Sequence, residues 1–292
     1  MATHFPVQLI VPFLALSAAF FAASNNVLIR KGLDHGTRAE AIFISLCTSI
    51  FLYWFVLVSL GLAKEVWNVS ALWFLGAGVL APGAARILNV ISLERVGVAR
   101  TMPIAGIAPL FAVLLAMIFL DELFSFAVLI GVFLIVFGIY VLSREKKQNG
   151  KRFEKKDIFY PLGSALCGGF SLLLSKQGLA GMSPFVGAAI TATAALVVVS
   201  LYIVVSKEAK REYPSRRLFF FAMLAGACMV GGFTLNFTAL EMGDVSVAAP
   251  LFGTFPLFAT FLSHFLLKEH ITGRIWLAAV FMVCGVAVIT LV

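Results

Sequence analysis

Leu93-Glu94, Pro103, Gly106, Pro109-Leu110-Phe111-Ala112, Leu120, Glu122 and Gly138 return 147 residues later, without a gap. The second set is Leu240-Glu241, Pro250, Gly253, Pro256-Leu257-Phe258-Ala259, Leu267, Glu269 and Gly285. Asn89 and Asn236 extend the match upstream at the same offset. A repeat nearly half as long as the chain is a duplicated half rather than a stacked solenoid. Nearer the N-terminus, Ala15-Leu16 and Phe20 correspond to Ala165-Leu166 and Phe170, and Gly32-Leu33 to Gly178-Leu179. The offset there drops from 150 to 146, so the second copy is about one helical turn shorter.

The solvent of this chain is a bilayer. Hydrophobic residues make up 61%, charged residues 12%, and mean hydropathy is +1.03, more apolar surface than a soluble domain of this length can hide. A spanning helix needs about 20 mostly apolar residues. Ten such windows occur, near 7–30, 38–61, 68–91, 97–120, 124–143, 157–179, 183–206, 217–239, 245–267 and 272–292. Their apolar runs are unbroken rather than alternating, which selects helices over barrel strands. The expectation is an all-α integral membrane protein. It has a first five-helix repeat over 1–143, a basic linker over 144–156 and a second repeat over 157–292. Residues before the first window hold no Lys or Arg, so it reads as a span and not a cleavable signal. Cys47, Cys167, Cys228 and Cys284 all fall inside windows and read as small buried hydrophobes.

Net charge is +8, which raises nucleic acid as a partner until the charges are placed. Assigning Arg86 and Arg100 to their nearest loop, 20 of the 22 Lys and Arg residues fall on linkers 1–2, 3–4, 5–6, 7–8 and 9–10, and only Lys64 and Lys176 fall elsewhere. The positive-inside rule then puts those linkers in the cytoplasm and both termini outside, which removes the case for nucleic acid. Equivalent loops carry opposite bias. Gly61 to Asn68 is nearly neutral while its repeat mate, Lys207 to Arg217, is basic; Arg30 to Arg38 is basic while Leu179 to Ser183 is bare. Five helices per half insert the second copy upside down, an inverted-repeat plan common among secondary transporters, with the site near the midplane between halves.

Ten helices in two halves, each fourth helix carrying Pro-x5-Pro-Leu-Phe-Ala and ending in a Glu (Asp121-Glu122; Lys268-Glu269), resemble the EamA-type members of the drug/metabolite transporter superfamily. The resemblance implies a basket of helices around a central cavity, in a bacterial cytoplasmic (inner) membrane. It also implies transport of small organic solutes, often outward. Where relatives carry an aromatic near the end of the first helix, Ser24-Asn25-Asn26 stand here. No Gly-x4-Gly-Lys-[Ser/Thr] loop, paired-Cys spacing or His-Glu-x-x-His is present, so the sequence offers no ATP site, metal site or cofactor. The alternative class is a non-transporting membrane protein, a lipid-substrate enzyme or a scaffold. Catalysis would need a cluster of ionisable groups at one interface, and no paired carboxylates fall within a window.

Arg86 is the sharpest candidate for solute contact, with Asn89 three residues on and therefore on the same helical face. The second copy has Phe233 and Asn236 there, so the charge belongs to one half. A cation inside a span is costly and by default functional; the opposing reading is that Arg86, about five residues from the cytoplasmic end, snorkels to the interface. Arg100 has the same two readings. Together they suggest an anionic group, carboxylate or phosphate, which guanidinium grips with a fork. Lys176 is either a cavity residue or an interfacial anchor. Asn25 and Asn26 are costly to bury unpaired and are expected to line the cavity. Pro103, Pro109, Pro250 and Pro256 free backbone carbonyls and bend helices, and serve either as a gating hinge or as packing features. Glu122 and Glu269 precede the next helix N-termini and read as structural, and His264 as a packed interfacial histidine.

Overall fold

The computed structural model describes residues 7–95, 104–105, 107–120, 125–143, 155–206, 215–267 and 273–291. Among them every regular element is helical. The order is α1 (Val7–Gly32), α2 (Arg38–Ser59), α3 (Ala71–Gly78), a π-helical turn (Val79–Ala84), α4 (Ala85–Arg95), α5 (Ala108–Phe119) and α6 (Phe126–Ser143). There follow α7 (Phe159–Leu179), α8 (Pro184–Ser206), α9 (Arg216–Met242), α10 (Val245–Phe252), α11 (Phe255–Leu267) and α12 (Gly273–Thr290). Among the described residues eight helical stretches are long and apolar enough to cross a membrane, and Ala108–Phe119 and Phe126–Val141 are shorter apolar helices in the fourth and fifth windows.

Local signals explain the ends. Thr37 caps α2: its Oγ1 accepts from the Glu40 N–H at 3.3 Å while Glu40 Oε2 accepts from the Thr37 N–H at 2.9 Å, a reciprocal capping box. The same helix stops at Gly61, whose φ of +71° is left-handed backbone open to glycine. In a span every backbone polar group must be met within the protein, so the ends and breaks are where sequence choice matters most.

Packing runs through small residues. In lipid the hydrophobic effect does not drive helices together, and close backbone approach is what association rests on. The α1 stripe Ala15, Ala18, Ala19 and Ala23 is fully buried, and α1 lies along α9, where a methyl on Gly232 would stand 3.5 Å from the Ala18 carbonyl. At the α6–α12 contact, a methyl on Gly138 would come within 2.9 Å of the Ala278 carbonyl, and one on Gly131 within 2.9 Å of the Gly285 carbonyl. Gly138 and Gly285 are repeat mates, as are Gly131 and Ala278, so one pair of repeat positions is used twice. Fully buried Tyr53 ties α2 to α9 by donating to the Val230 carbonyl at 3.0 Å. Trp54 donates to Thr193 Oγ1 of α8 at 3.1 Å. Outward-facing Phe51, Phe55 and Val205 are mostly exposed, as lipid-facing residues are.

Contacts also exchange between halves. α1 packs on α9 and on α10 and α11; its repeat mate α7 packs on α3, the π-helical turn and α4, and on α5. α2 meets α9 as α8 meets the third span, α2–α8 and α6–α12 pair repeat mates directly, and α5 packs on α10, the helix just before its own mate α11.

Replacing Gly285 with Val should lower the thermal midpoint of the detergent-purified protein. The added carbon would sit 2.6 Å from the Gly131 carbonyl, and overpacking of this kind costs about 1–3 kcal/mol. Gly273→Ala, with open space around it, should stay within about 0.5 kcal/mol. Equal midpoints for the two variants would refute the close-packing account.

Candidate functional site

The third span is broken. Ala81 is extended (φ −145°, ψ 128°) inside an otherwise helical run, and Pro82 restarts the helix beyond it. Proline brings no N–H, and the extended residue takes carbonyls out of the helical ladder. Two serines of α7 reach this stretch. Ser171 Oγ lies 2.9 Å from the Ala77 carbonyl and 3.0 Å from that of Ala81, and Ser164 Oγ donates to Ala85 at 2.9 Å. On the other flank Gly78 seats against α8, where an added methyl would stand 2.9 Å from Ala194 Cβ. Neighbouring hydroxyls re-satisfying a broken membrane helix is what the absence of water in the core requires.

This break delivers Arg86 to the first turn of α4. Among the described residues nothing hydrogen-bonds or ion-pairs with its guanidinium, which is half-buried within the Ala71–Asn89 span. One turn on, Asn89 Oδ1 is buried and unpartnered. Its repeat mate Asn236 is 3% exposed, and its Oδ1 is orphaned too. Asn236 shares a helical face with Gly232, which abuts α1 at Ala22, and Gly243 just past the helix end abuts α1 at Val11. A buried acceptor without a donor costs about 1–3 kcal/mol, and such groups call for an explanation.

The remaining candidates fall apart spatially. Asn25, where the sequence suggests cavity lining, is buried and spent on a helix contact: Nδ2 donates to the Ala225 carbonyl of α9 at 2.7 Å. Asn26 is exposed and bonds back to Ala22 of its own helix at 2.9 Å. Lys176 Nζ donates to the carbonyls of Leu240 and Gly243 at 2.6 and 2.7 Å, closing the C-terminal end of α9, where cations are favoured. Arg100, Pro103, Glu122 and Glu269 lie outside the described residues. Pro109 is buried in the first turn of α5, where its missing N–H costs nothing. Pro250 sits inside α10, and Pro256 opens α11 beyond the Gly253-Thr254 break. A methyl on Gly253 would come 2.7 Å from Pro109 Cγ, so these two proline-marked segments meet.

A cleft of ≈790 Å³ lies at the end of the bundle carrying Leu62–Trp67, with Lys64, Glu65, Trp67, Asn68 and Glu241 among its lining residues. It spans the halves: Asn68 Nδ2 donates to the Gly181 carbonyl at 2.8 Å and Ser183 Oγ to Glu65 Oε2 at 3.2 Å. Sequence reasoning missed this cleft, because its residues are ordinary loop polar groups. Ser164 and Ser171 were missed as well, although the repeat carried a signal: the first copy has Leu14 and Phe21 in their places.

Lys176→Met should free both carbonyls and cost about 2 kcal/mol, the scale of hydrogen bonds to a charged donor. Lys176→Arg should recover part of it, read as thermal midpoints. A Met variant as stable as the parent would mean the cap contributes nothing.

Comparison with known proteins agrees with this arrangement. The EamA-like transporter family model matches twice, over residues 9–144 and 155–291. An "Uncharacterized transporter" of Archaeoglobus fulgidus is 24% identical over 272 residues, 92% of this chain and 94% of that protein. A protein of known crystal structure superposes with a TM-score of 0.72 at 18% identity, covering 98% of this chain and 95% of that one, a likeness of fold. With these matches over essentially its whole length and its many apolar helices, the chain is a multi-pass integral membrane protein that belongs to the EamA-like transporter family.

Proposed function

We propose that the chain is a secondary transporter that moves a small organic solute with an anionic group by alternating access, outward across a bacterial cytoplasmic membrane. In this reading it crosses the bilayer ten times as two inverted five-helix halves, 1–143 and 157–292. The basic 144–156 segment and the other Lys- and Arg-rich linkers are cytoplasmic. The exchange of helix contacts between halves and the double family match support that architecture.

One observation carries the solute class: Arg86, a guanidinium without a partner among the described residues, inside a span. A charge there is expensive unless something pairs with it. It also stands near the start of a restarted helix, the positive end of the dipole, where an anion is stabilised and a cation is not. A carboxylate or phosphate would satisfy both, gripped by the guanidinium fork, and the orphaned Asn89 Oδ1 would accept a hydrogen bond from the rest of the solute. Asn236 would serve the other half. Rocking of the halves would bend the chain at the meeting of Pro109 and Gly253, where α10 and α11 are already separate helices.

The solute class is testable by ligand-induced thermal stabilisation, which follows mass action, across amino acids, organic acids, sugar phosphates, nucleotides and cationic drugs. Anions should stabilise the parent and not Arg86→Ala, and the same compounds should equilibrate unaltered across proteoliposomes. Stabilisation by cations alone, equal in Arg86→Ala, would reduce Arg86 to an interfacial anchor; chemical conversion of the solute would favour an enzyme. The hinge is tested separately. Pro109→Ala combined with Pro256→Ala should lower solute flux at unchanged binding, since each proline stands in the first turn of its helix and keeps the hydrogen-bond ladder from closing back onto the preceding segment. Unchanged flux would assign these prolines to packing.

A further inference from the structure

The break in the third span, the serines that face it and Arg86 occur together in one half and are all missing from the other. At the positions of Ala81, Pro82 and Arg86 the second copy has Cys228, Met229 and Phe233, and α9 runs unbroken from Arg216 to Met242. The first helix, repeat mate of α7, has Leu14 and Phe21 where α7 has Ser164 and Ser171. There the Phe21 ring lies against Gly231 of α9, 3.1 Å from where a methyl would be. So the same seam is built twice from the same helix pairing. One copy is continuous, and the other is interrupted, bridged by serine hydroxyls and carries Arg86.

We propose that Ser171 and Ser164 are positioning residues that set how far the α4 segment turns Arg86 toward the solute path. Ser171 lies within hydrogen-bond reach of the carbonyl ahead of the break, Ala77, and of the carbonyl at it, Ala81. Ser164 holds Ala85, the residue next to Arg86. A hydroxyl has one proton and two candidate acceptors, so Ser171 can favour either carbonyl as the kink angle changes. The α4 segment therefore pivots at Ala81 with α7 as its backstop, and α7 belongs to the opposite half, so movement between halves is transmitted to Arg86. This rests on the reading of Arg86 as a solute contact.

The test needs no identified solute. In a background with Cys47, Cys167, Cys228 and Cys284 replaced by Ala, Arg86→Cys is introduced. Its labelling rate with a membrane-impermeant anionic methanethiosulfonate is measured from each side of proteoliposomes. Adding Ser171→Ala should change the rate about fivefold, the population shift that one lost hydrogen bond brings. Ser171→Thr, which keeps the hydroxyl, should return it toward the parent, and Phe21→Ala in the matching seam should leave it unchanged. An unchanged rate with a lowered thermal midpoint would make the serines structural and overturn the proposal while leaving the solute reading of Arg86 intact. No labelling from either side in any background would sink that reading and the proposal with it. Should Ser171→Ala not survive purification, Ser164→Ala, which frees one carbonyl rather than two, makes the same comparison.

Discussion

Water is absent from the hydrocarbon core, so each backbone N–H and C=O of this protein has to find its partner within the chain. Most do so in long helices. The informative places are where the ladder is interrupted: at Ala81-Pro82, where α7 hydroxyls reach across; at Gly253-Thr254, between α10 and α11; and at the end of α9, closed by an ammonium group. Each interruption is bracketed by a side chain or glycine from another helix. The irregular backbone is thus tolerated only inside the protein.

Small residues form the second level. Alanines of α1, and the glycines of α6, α9 and α12, bring backbones close enough for dispersion and weak polar contacts to hold helices together where hydrophobic exclusion does not act. Because the repeat supplies the small residues in pairs, the α6–α12 contact uses the same pair of repeat positions twice, with Gly138 facing Ala278 and Gly131 facing Gly285. Symmetry of packing coexists with asymmetry of charge. Lys176 spends its ammonium on the carbonyls of Leu240 and Gly243, whereas Arg86 has no such partner among the described residues. The first is therefore explained by stability, and the second is the contact proposed for the solute.

The broken third span connects these levels. Fewer helical bonds cross the kink, and the guanidinium stands beyond it, on the segment proposed to pivot. Its counterpart in the second half is continuous, so the two halves share a fold and differ in what they do with it.

Much was legible in the residues themselves. Unbroken apolar windows required helices and a bilayer, the 147-residue offset exposed the duplication, and the unusual place of Arg86 stood out, because it departs from a local rule that holds elsewhere in the chain. Which polar groups would find partners was not legible. Asn25 and Asn89 look alike in sequence, yet one bonds to Ala225, 200 residues away, and the other has an orphaned oxygen. Lys176 resembles an anchor until the end of α9 is seen beside it. The cleft at Glu65 and Asn68 exists only because Ser183 and Gly181 are brought to it from the other half. Sequence alone determined the helices, their number of apolar windows and the repeat, since these depend on hydropathy and local backbone chemistry. The tertiary structure decided which polar groups were satisfied and which had no partner among the described residues, because hydrogen bonding between helices depends on packing that no local window contains.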